Sequence, residues 1–192
     1  MSVIEPELGT GRPLVDIDLG ELAAVSAELE RKPASAAIRW AHERFGAGVV
    51  LAASFQDCVL VDLAAKAAPG IEVVFLDTQY HFAETLWYVD RVRERYDLNL
   101  TVMRPLAAAD DLWQSNPDEC CAMRKVEPLA RALADREAWV TGLRRVEAPT
   151  RAGAPIVHLD VGRGIVKVNP LATWTDADIT AYKRDHDLPE HP

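Results

Sequence analysis

The stretch Val49-Val50-Leu51-Ala52-Ala53-Ser54-Phe55-Gln56-Asp57 decides the fold class. Five apolar residues in a row, without polar alternation, describe a strand buried on both faces, as in a parallel sheet covered by helices. The polar turn that follows leads into residues 59–68, where apolar side chains recur at helical spacing until Pro69-Gly70 ends the pattern. Strand, turn and helix in that order form the first unit of an α/β layer.

The same alternation runs on in both directions. Upstream, residues 35–45 read as a helix closed by Gly46, and residues 14–30 hold a short amphipathic helix among the breakers Gly9, Gly11, Pro13 and Pro33. Downstream, Val73-Val74-Phe75-Leu76 is a second buried strand and residues 82–96 a helix with Phe82, Leu86, Val89 and Val92 along one side. Residues 98–103 form a third strand, 117–135 a helix expected to kink at Pro128, and 138–141 a fourth strand. Residues 156–159 and 165–168 fit an antiparallel pair around Gly162 and Gly164. Thr175 and Asp178 stand at the spacing of a capping box for a last helix reaching about residue 186. The expected architecture is a doubly wound, largely parallel α/β sheet. It divides into an N-terminal helical extension over 1–35 and a nucleotide-binding domain over 36–192.

In such sheets ligands bind beyond the carboxyl ends of the strands. That rule singles out Ser54-Phe55-Gln56-Asp57, Asp77-Thr78 with the two residues after them, and Gly142-Leu143-Arg144-Arg145. Backbone N–H groups between a buried strand and a helix make an anion site, and Ser54 adds a hydroxyl; an ordinary turn with serine as helix cap is the alternative. The glycines and lysine of a Walker loop are missing.

Bulk properties narrow the function. The chain has 192 residues, 30 acidic against 21 basic, and a net charge of −9. A general nucleic-acid binder would usually be basic, which speaks against that class; an anionic small substrate is compatible with this charge only if basic residues converge locally. The apolar runs are too short to span a membrane, and residues 1–7 lack the basic and apolar regions of a secretory signal, so a cytoplasmic location is expected.

Three cysteines, two of them adjacent, do not make a disulfide framework. In Asn116-Pro117-Asp118-Glu119-Cys120-Cys121-Ala122-Met123-Arg124-Lys125, Asn116 suits the N-cap, Pro117 the first helical position and Glu119 the third. The two sulfurs then sit near a helix N-terminus, which favours thiolates, with Arg124 and Lys125 each four residues on. Neighbouring helical side chains diverge by about 100°, which suits two irons of a cluster better than one ion. Small core residues, a strained vicinal disulfide and half a zinc site are the alternatives.

Taken together these segments resemble the family of adenylyl-sulfate (APS) and phosphoadenylyl-sulfate (PAPS) reductases, within the wider adenine-nucleotide α-hydrolase-like group. The matching pieces are Ser54-Phe55-Gln56-Asp57, Leu76-Asp77-Thr78 with residues 81–85, Glu119-Cys120-Cys121 through Arg124-Lys125, Thr141-Gly142-Leu143-Arg144-Arg145, and Asn169-Pro170-Leu171 before Trp174-Thr175. The resemblance implies that Ser54, Phe55, Gln56 and Asp57 hold the AMP phosphate. Leu76 and Gly142 flank the adenine, and Asp77 or Thr78 meets the ribose. Lys125, Arg144, Arg145 and Arg151 face the phosphosulfate. The cysteine pair resembles the mark of the branch that reduces APS and carries a [4Fe–4S] cluster, so Cys120 and Cys121 are expected as two of its four ligands. In that family a cysteine attacks the sulfate sulfur, AMP leaves, and thioredoxin releases sulfite from the S-sulfocysteine. The remaining ligands and the nucleophile, in a Glu-Cys-Gly-Leu-His-like tail, are expected beyond Pro192, which leaves no catalytic residue in this sequence. Cys58 matches neither missing element and reads as a core residue. APS and AMP as ligands and thioredoxin as partner follow from the resemblance; a homo-oligomer is left open. The competing readings are a PAPS reductase, an ATP-dependent adenylating enzyme on the same fold, against which Phe55-Gln56 speaks because glycines would be expected there, and a non-catalytic nucleotide-binding or thioredoxin-docking module.

Overall fold

The computed structural model describes residues 17–192. Residues 14–16 of the expected first helix lie outside them; within them α1 spans Leu19–Leu29, capped by Asp18, whose carboxylate accepts from the Gly20 and Glu21 N–H groups. It is followed by α2 (Ala34–Phe45). The sheet has six strands: β1 (Val49–Ala53), β2 (Glu72–Leu76), β3 (Leu100–Met103), β4 (Ala138–Thr141), β5 (Val157–Asp160) and β6 (Ile165–Val168). Their order is β3-β2-β1-β4-β6-β5, all pairs parallel except β5 with β6. Helix α3 (Val59–Ala67) follows β1, and α4 (Ala83–Tyr96) follows β2.

Continuous apolar runs became central strands for a physical reason: both faces are covered. One face carries the larger core, in which Leu22, Ile38, Phe45, Val59 and Val92 from the helices pack on Val49, Leu51 and Val73. On the other face Val50, Val74 and Trp139 meet Leu133, Leu129 and Ala132. The chain runs outward from β1 through β2 to β3, then crosses back to lay β4 on the other side of β1. The β1–β4 boundary is therefore a topological switch point, where a ligand cleft opens beyond the strand ends.

The long helix expected over 117–135 is broken into α6 (Pro117–Cys121), a π-helical turn at Ala122–Val126 and α7 (Glu127–Leu133), preceded by the short α5 (Leu112–Ser115). The disturbance therefore precedes Pro128 instead of bending the helix at it. Proline has no N–H to give the carbonyl four residues back, and the chain widens over the preceding turn. The last helix, α8 (Asp176–Asp185), starts as expected: Asp178 N–H donates to Thr175 Oγ1 at 3.2 Å and Thr175 N–H to Asp178 Oδ2 at 2.8 Å.

Asp62 ties α8 to the rest. Its carboxylate is 2% exposed and accepts from Tyr182 Oη at 2.7 Å, Tyr96 Oη at 2.9 Å and Lys66 Nζ at 2.7 Å. Burial alone would raise its pKa, but these three donors outweigh it and hold the carboxyl below its ordinary value. A group with a depressed folded pKa contributes stability that is complete above its unfolded pKa and is lost as pH falls through the folded one. Asp62→Ala, which orphans both phenols, is expected to cost about 2–3 kcal/mol at neutral pH. The deficit should shrink below about pH 4. Urea titrations at pH 7 and pH 3 check this; an equal deficit at both would show that Asp62 acts through packing alone.

Candidate functional site

The cleft is built from the carboxyl ends of β1, β2 and β4 and divides into two cavities that share residues 52–56. The first, about 550 Å³, is lined by Ser54, Phe55, Gln56, Asp57, Thr141, Gly142, Arg144, Glu147, Arg151 and Lys167, among others. The second, about 580 Å³, adds Leu76, Thr78, His81, Thr85, Lys125 and His191.

The loop after β1 is held in a particular shape. Phe55 adopts a left-handed φ of +55° while its side chain is 1% exposed, with its ring edge-on to Phe75 at 5.4 Å. Asp57 is turned to the helix: Oδ1 accepts the Val59 N–H at 2.9 Å and starts α3. Among the described residues no protein acceptor takes the N–H groups of Phe55, Gln56 or Asp57. A buried side chain thus pins a turn whose backbone donors are left for an anion.

After β2, Leu76 and Thr78 line the second cavity, but Asp77 does not. Its carboxylate is buried, accepts the Gln79 N–H at 2.9 Å and pairs with Arg104 Nε at 2.9 Å. The His81 ring stacks on Phe75 and places Nε2 3.1 Å from the Leu76 carbonyl oxygen.

The arginines expected to act together are separated. Arg144 lines the first cavity and pairs with Glu147 at 3.3 Å and Asp176 at 2.7 Å. Arg151 lines it too, also paired with Glu147. Arg145 points elsewhere: it pairs with Glu30, just past the end of α1, donates to the Ala154 carbonyl at 2.9 Å, and lines a groove between α1 and β5. The reason is the strand-like backbone leaving β4, which sends adjacent side chains to opposite sides. Lys167 stands in the cleft instead, a cation that the sequence reading passed over. It projects from β6 into the first cavity, with Nζ 4.7 Å from the Trp139 ring centroid and in no ion pair among the described residues. Burial, with Arg163 and Arg151 nearby, pushes its ammonium pKa down against the pull of Asp160. Its alternation with Val166 and Val168 was the available signal: a lysine inside an apolar strand needs a reason to be there.

The cysteine helix starts as its residues require, with Glu119 N–H donating to Asn116 Oδ1 at 3.3 Å and Asn116 Nδ2 to Glu119 Oε2 at 2.8 Å. Cys120 is buried and Cys121 exposed. Lys125 reaches the second cavity, whereas Arg124 is 1% exposed. Arg124 donates to Gln79 Oε1 and the Ala108 carbonyl, both at 2.8 Å, pairs with Asp110 at 3.0 Å, and lies over the Tyr80 ring. It ties the π turn to the loops after β2 and β3. Cys58 is buried at the start of α3, 3.8 Å from the Pro189 carbonyl oxygen, and its burial raises the thiol pKa. Two thiols on one helix are half of what an all-cysteine [4Fe–4S] cluster needs. Among the described residues no group of three or more His, Cys, Asp or Glu side chains could hold a metal, so they do not complete such a site.

Among the described residues no helix is long and apolar enough to cross a membrane. Comparison with known proteins places these features. The family model for the phosphoadenosine phosphosulfate reductase domain matches residues 48–192. The adenosine 5′-phosphosulfate reductase of Mycobacteroides abscessus is 48% identical over 181 residues, covering 88% of this chain and 76% of that protein. The enzyme of the same name from Mycolicibacterium smegmatis is 49% identical over 174 residues, 86% of this chain and 74% of that protein. Among solved structures, the phosphoadenylyl-sulfate reductase of Candida auris, in a phosphate complex, superposes with a TM-score of 0.79 at 25% identity, over 92% of this chain and 91% of that one. FMN adenylyltransferase of Candida glabrata shares the fold alone, with a TM-score of 0.60 at 15% identity over 91% and 70% of the two chains. With the family model aligned from the start of β1 onward and relatives close to half identical along most of their length, the chain belongs to the phosphoadenosine phosphosulfate reductase domain family.

Proposed function

We propose that the protein is an adenylyl-sulfate reductase, converting APS to sulfite and AMP in sulfate assimilation toward cysteine, in the cytoplasm, with thioredoxin as reductant. One observation carries the link between nucleotide and redox chemistry: Lys125, four residues beyond Cys121, lines the same cavity as Ser54, Phe55 and Gln56. The helix bearing the cysteines therefore abuts a nucleotide-sized cleft at the switch point. The names of the mycobacterial relatives support APS as the substrate.

In this reading the open N–H groups of the 54–57 loop bind the 5′ phosphate, and Leu76, Thr78 and Gly142 receive the nucleoside. A Cβ at Gly142 would meet only a Leu60 methyl, at 3.7 Å, so the protein itself does not require glycine there; close approach by a ligand does. Lys125, Arg144, Arg151 and Lys167 stabilise the negative charge that builds on the phosphate as the S–O bond to sulfate breaks. Arg145 and Asp77, engaged elsewhere, act by holding the loops. Cys120 and Cys121 would be two thiolate ligands of a [4Fe–4S] cluster, held on the helix that carries Lys125 to the cleft.

Calorimetry of the 192-residue chain with AMP, APS and PAPS tests the assignment. AMP and APS should bind, with APS tighter than PAPS, and Arg151→Ala should weaken APS by about tenfold. Tighter binding of PAPS would move the protein to the other branch, and no nucleotide binding at all would defeat the site.

A further inference from the structure

We propose that Glu147 limits the positive charge available in the first cavity and so selects against nucleotides that carry a second phosphate on the ribose. The inference rests on the nucleotide reading of the cleft given above. Three cations line this cavity: Arg144, Arg151 and Lys167. Two of them are held by one carboxylate. Glu147 Oε1 accepts from Arg144 Nε at 3.3 Å, while Oε2 accepts from the Arg144 N–H at 3.2 Å and from Arg151 Nη1. Arg144 gives a further bond, 2.7 Å long, to Asp176. Asp57 adds another carboxylate to the lining, committed to the start of α3. Only Lys167 enters no ion pair among the described residues.

Glu147 is placed firmly for this purpose. It ends a single 3-10 turn, Arg145–Glu147, whose first N–H is fixed to the Ala172 carbonyl at 2.9 Å, and its side chain is 33% exposed, facing both arginines. The single 5′ phosphate of AMP can take the backbone donors of the 54–57 loop and the charge of Lys167 without disturbing this arrangement. A ribose phosphate adds about 1.5 to 2 further negative charges. It enters a cavity whose arginines are already matched and which presents a carboxylate. Juxtaposed like charges and a built-in repulsive element are how binding sites reject near-identical ligands.

The test is calorimetry of the whole 192-residue chain and its Glu147→Gln variant, with AMP and with adenosine 3′,5′-bisphosphate. The native chain should bind AMP more tightly. Glu147→Gln should tighten the bisphosphate by about tenfold and AMP by no more than about threefold, since only the former brings a second anion into the cavity that Glu147 faces. Glu147→Ala, which removes the charge without offering an amide, should move the ratio in the same direction. An unchanged ratio in either variant overturns the proposal, as does loss of AMP binding in Glu147→Gln, which would make Glu147 a positioning residue for the arginines. If the native chain binds neither nucleotide, the cleft reading falls and this falls with it; if it binds AMP and the ratio stays fixed, only the role of Glu147 falls.

Discussion

Given APS and reduced thioredoxin, the 192-residue chain is expected to release no measurable sulfite, under conditions in which the APS reductase of Mycolicibacterium smegmatis turns over. The chemistry in question forms a thiolate–sulfur bond while AMP leaves, and it needs a thiol that reaches the bound phosphosulfate. None of the three cysteines lines either cavity of the cleft. Cys58 is buried at the start of α3, its thiol directed at the Pro189 carbonyl and its pKa raised by burial, so it is poor in both reach and thiolate content. Cys120 is buried in the helix. Cys121 is exposed and stands four residues from Lys125, but as a cluster ligand it would have its lone pair committed to iron. Losing the covalent step removes the whole reaction, so the expected effect is complete. Sulfite at a rate matching the relative would place the nucleophile on one of these three thiols, and single Cys→Ser variants would then identify which. Calorimetry on the same sample separates the two ways of failing, since AMP binding without turnover means that the cleft is formed and only the attacking group is missing.

The strands were readable because a sheet covered on both faces permits only apolar residues, and 49–53, 73–76 and 138–141 carry little else. The helix starts at Asn116 and Thr175 were readable because capping is local chemistry, complete within four residues. What failed to show was everything decided by partners far along the chain. Arg144 and Arg145 look equivalent in sequence, yet one faces the cleft and the other reaches Glu30, 115 residues away. Asp77 and Thr78 are equal candidates for the ribose in sequence, and the ion pair between the Asp77 carboxylate and Arg104, 27 residues on, is not legible there. Lys167 is the converse, a residue without a motif that the β4–β6 pairing carries into the cleft. Pro128 announces a disturbed helix, but the contacts that Arg124 makes from within the widened turn, to Gln79, Ala108 and Asp110, are not legible in sequence.

Phe55 combines these two kinds of information, and it yields the largest expected effect on stability. Its place in the loop after β1 is plain from sequence, but its conformation is not. An aromatic residue at φ +55° holds a backbone shape that L-residues avoid at a cost of about 1–2 kcal/mol. What offsets that cost is burial of the whole ring, 1% exposed and edge-on to Phe75. Phe55→Ala keeps the backbone strain and deletes the ring, so it should destabilise the fold by about 3–5 kcal/mol. Phe55→Gly deletes the ring as well but relaxes the strain, against about 0.4–1 kcal/mol of extra chain entropy in the unfolded state. The glycine variant should therefore be no less stable than the alanine variant, the reverse of the order at ordinary positions. Urea denaturation of both decides this, and an alanine variant clearly more stable than the glycine one would show that Phe55 is not held in the left-handed region. Function should follow a different order from stability. With the ring gone, both loops lose their anchor to Phe75, and the N–H groups of residues 55–57 no longer wait in one arrangement for an anion. The more freely moving glycine loop must then lose more entropy on binding, so AMP affinity should fall furthest in the variant that folds better.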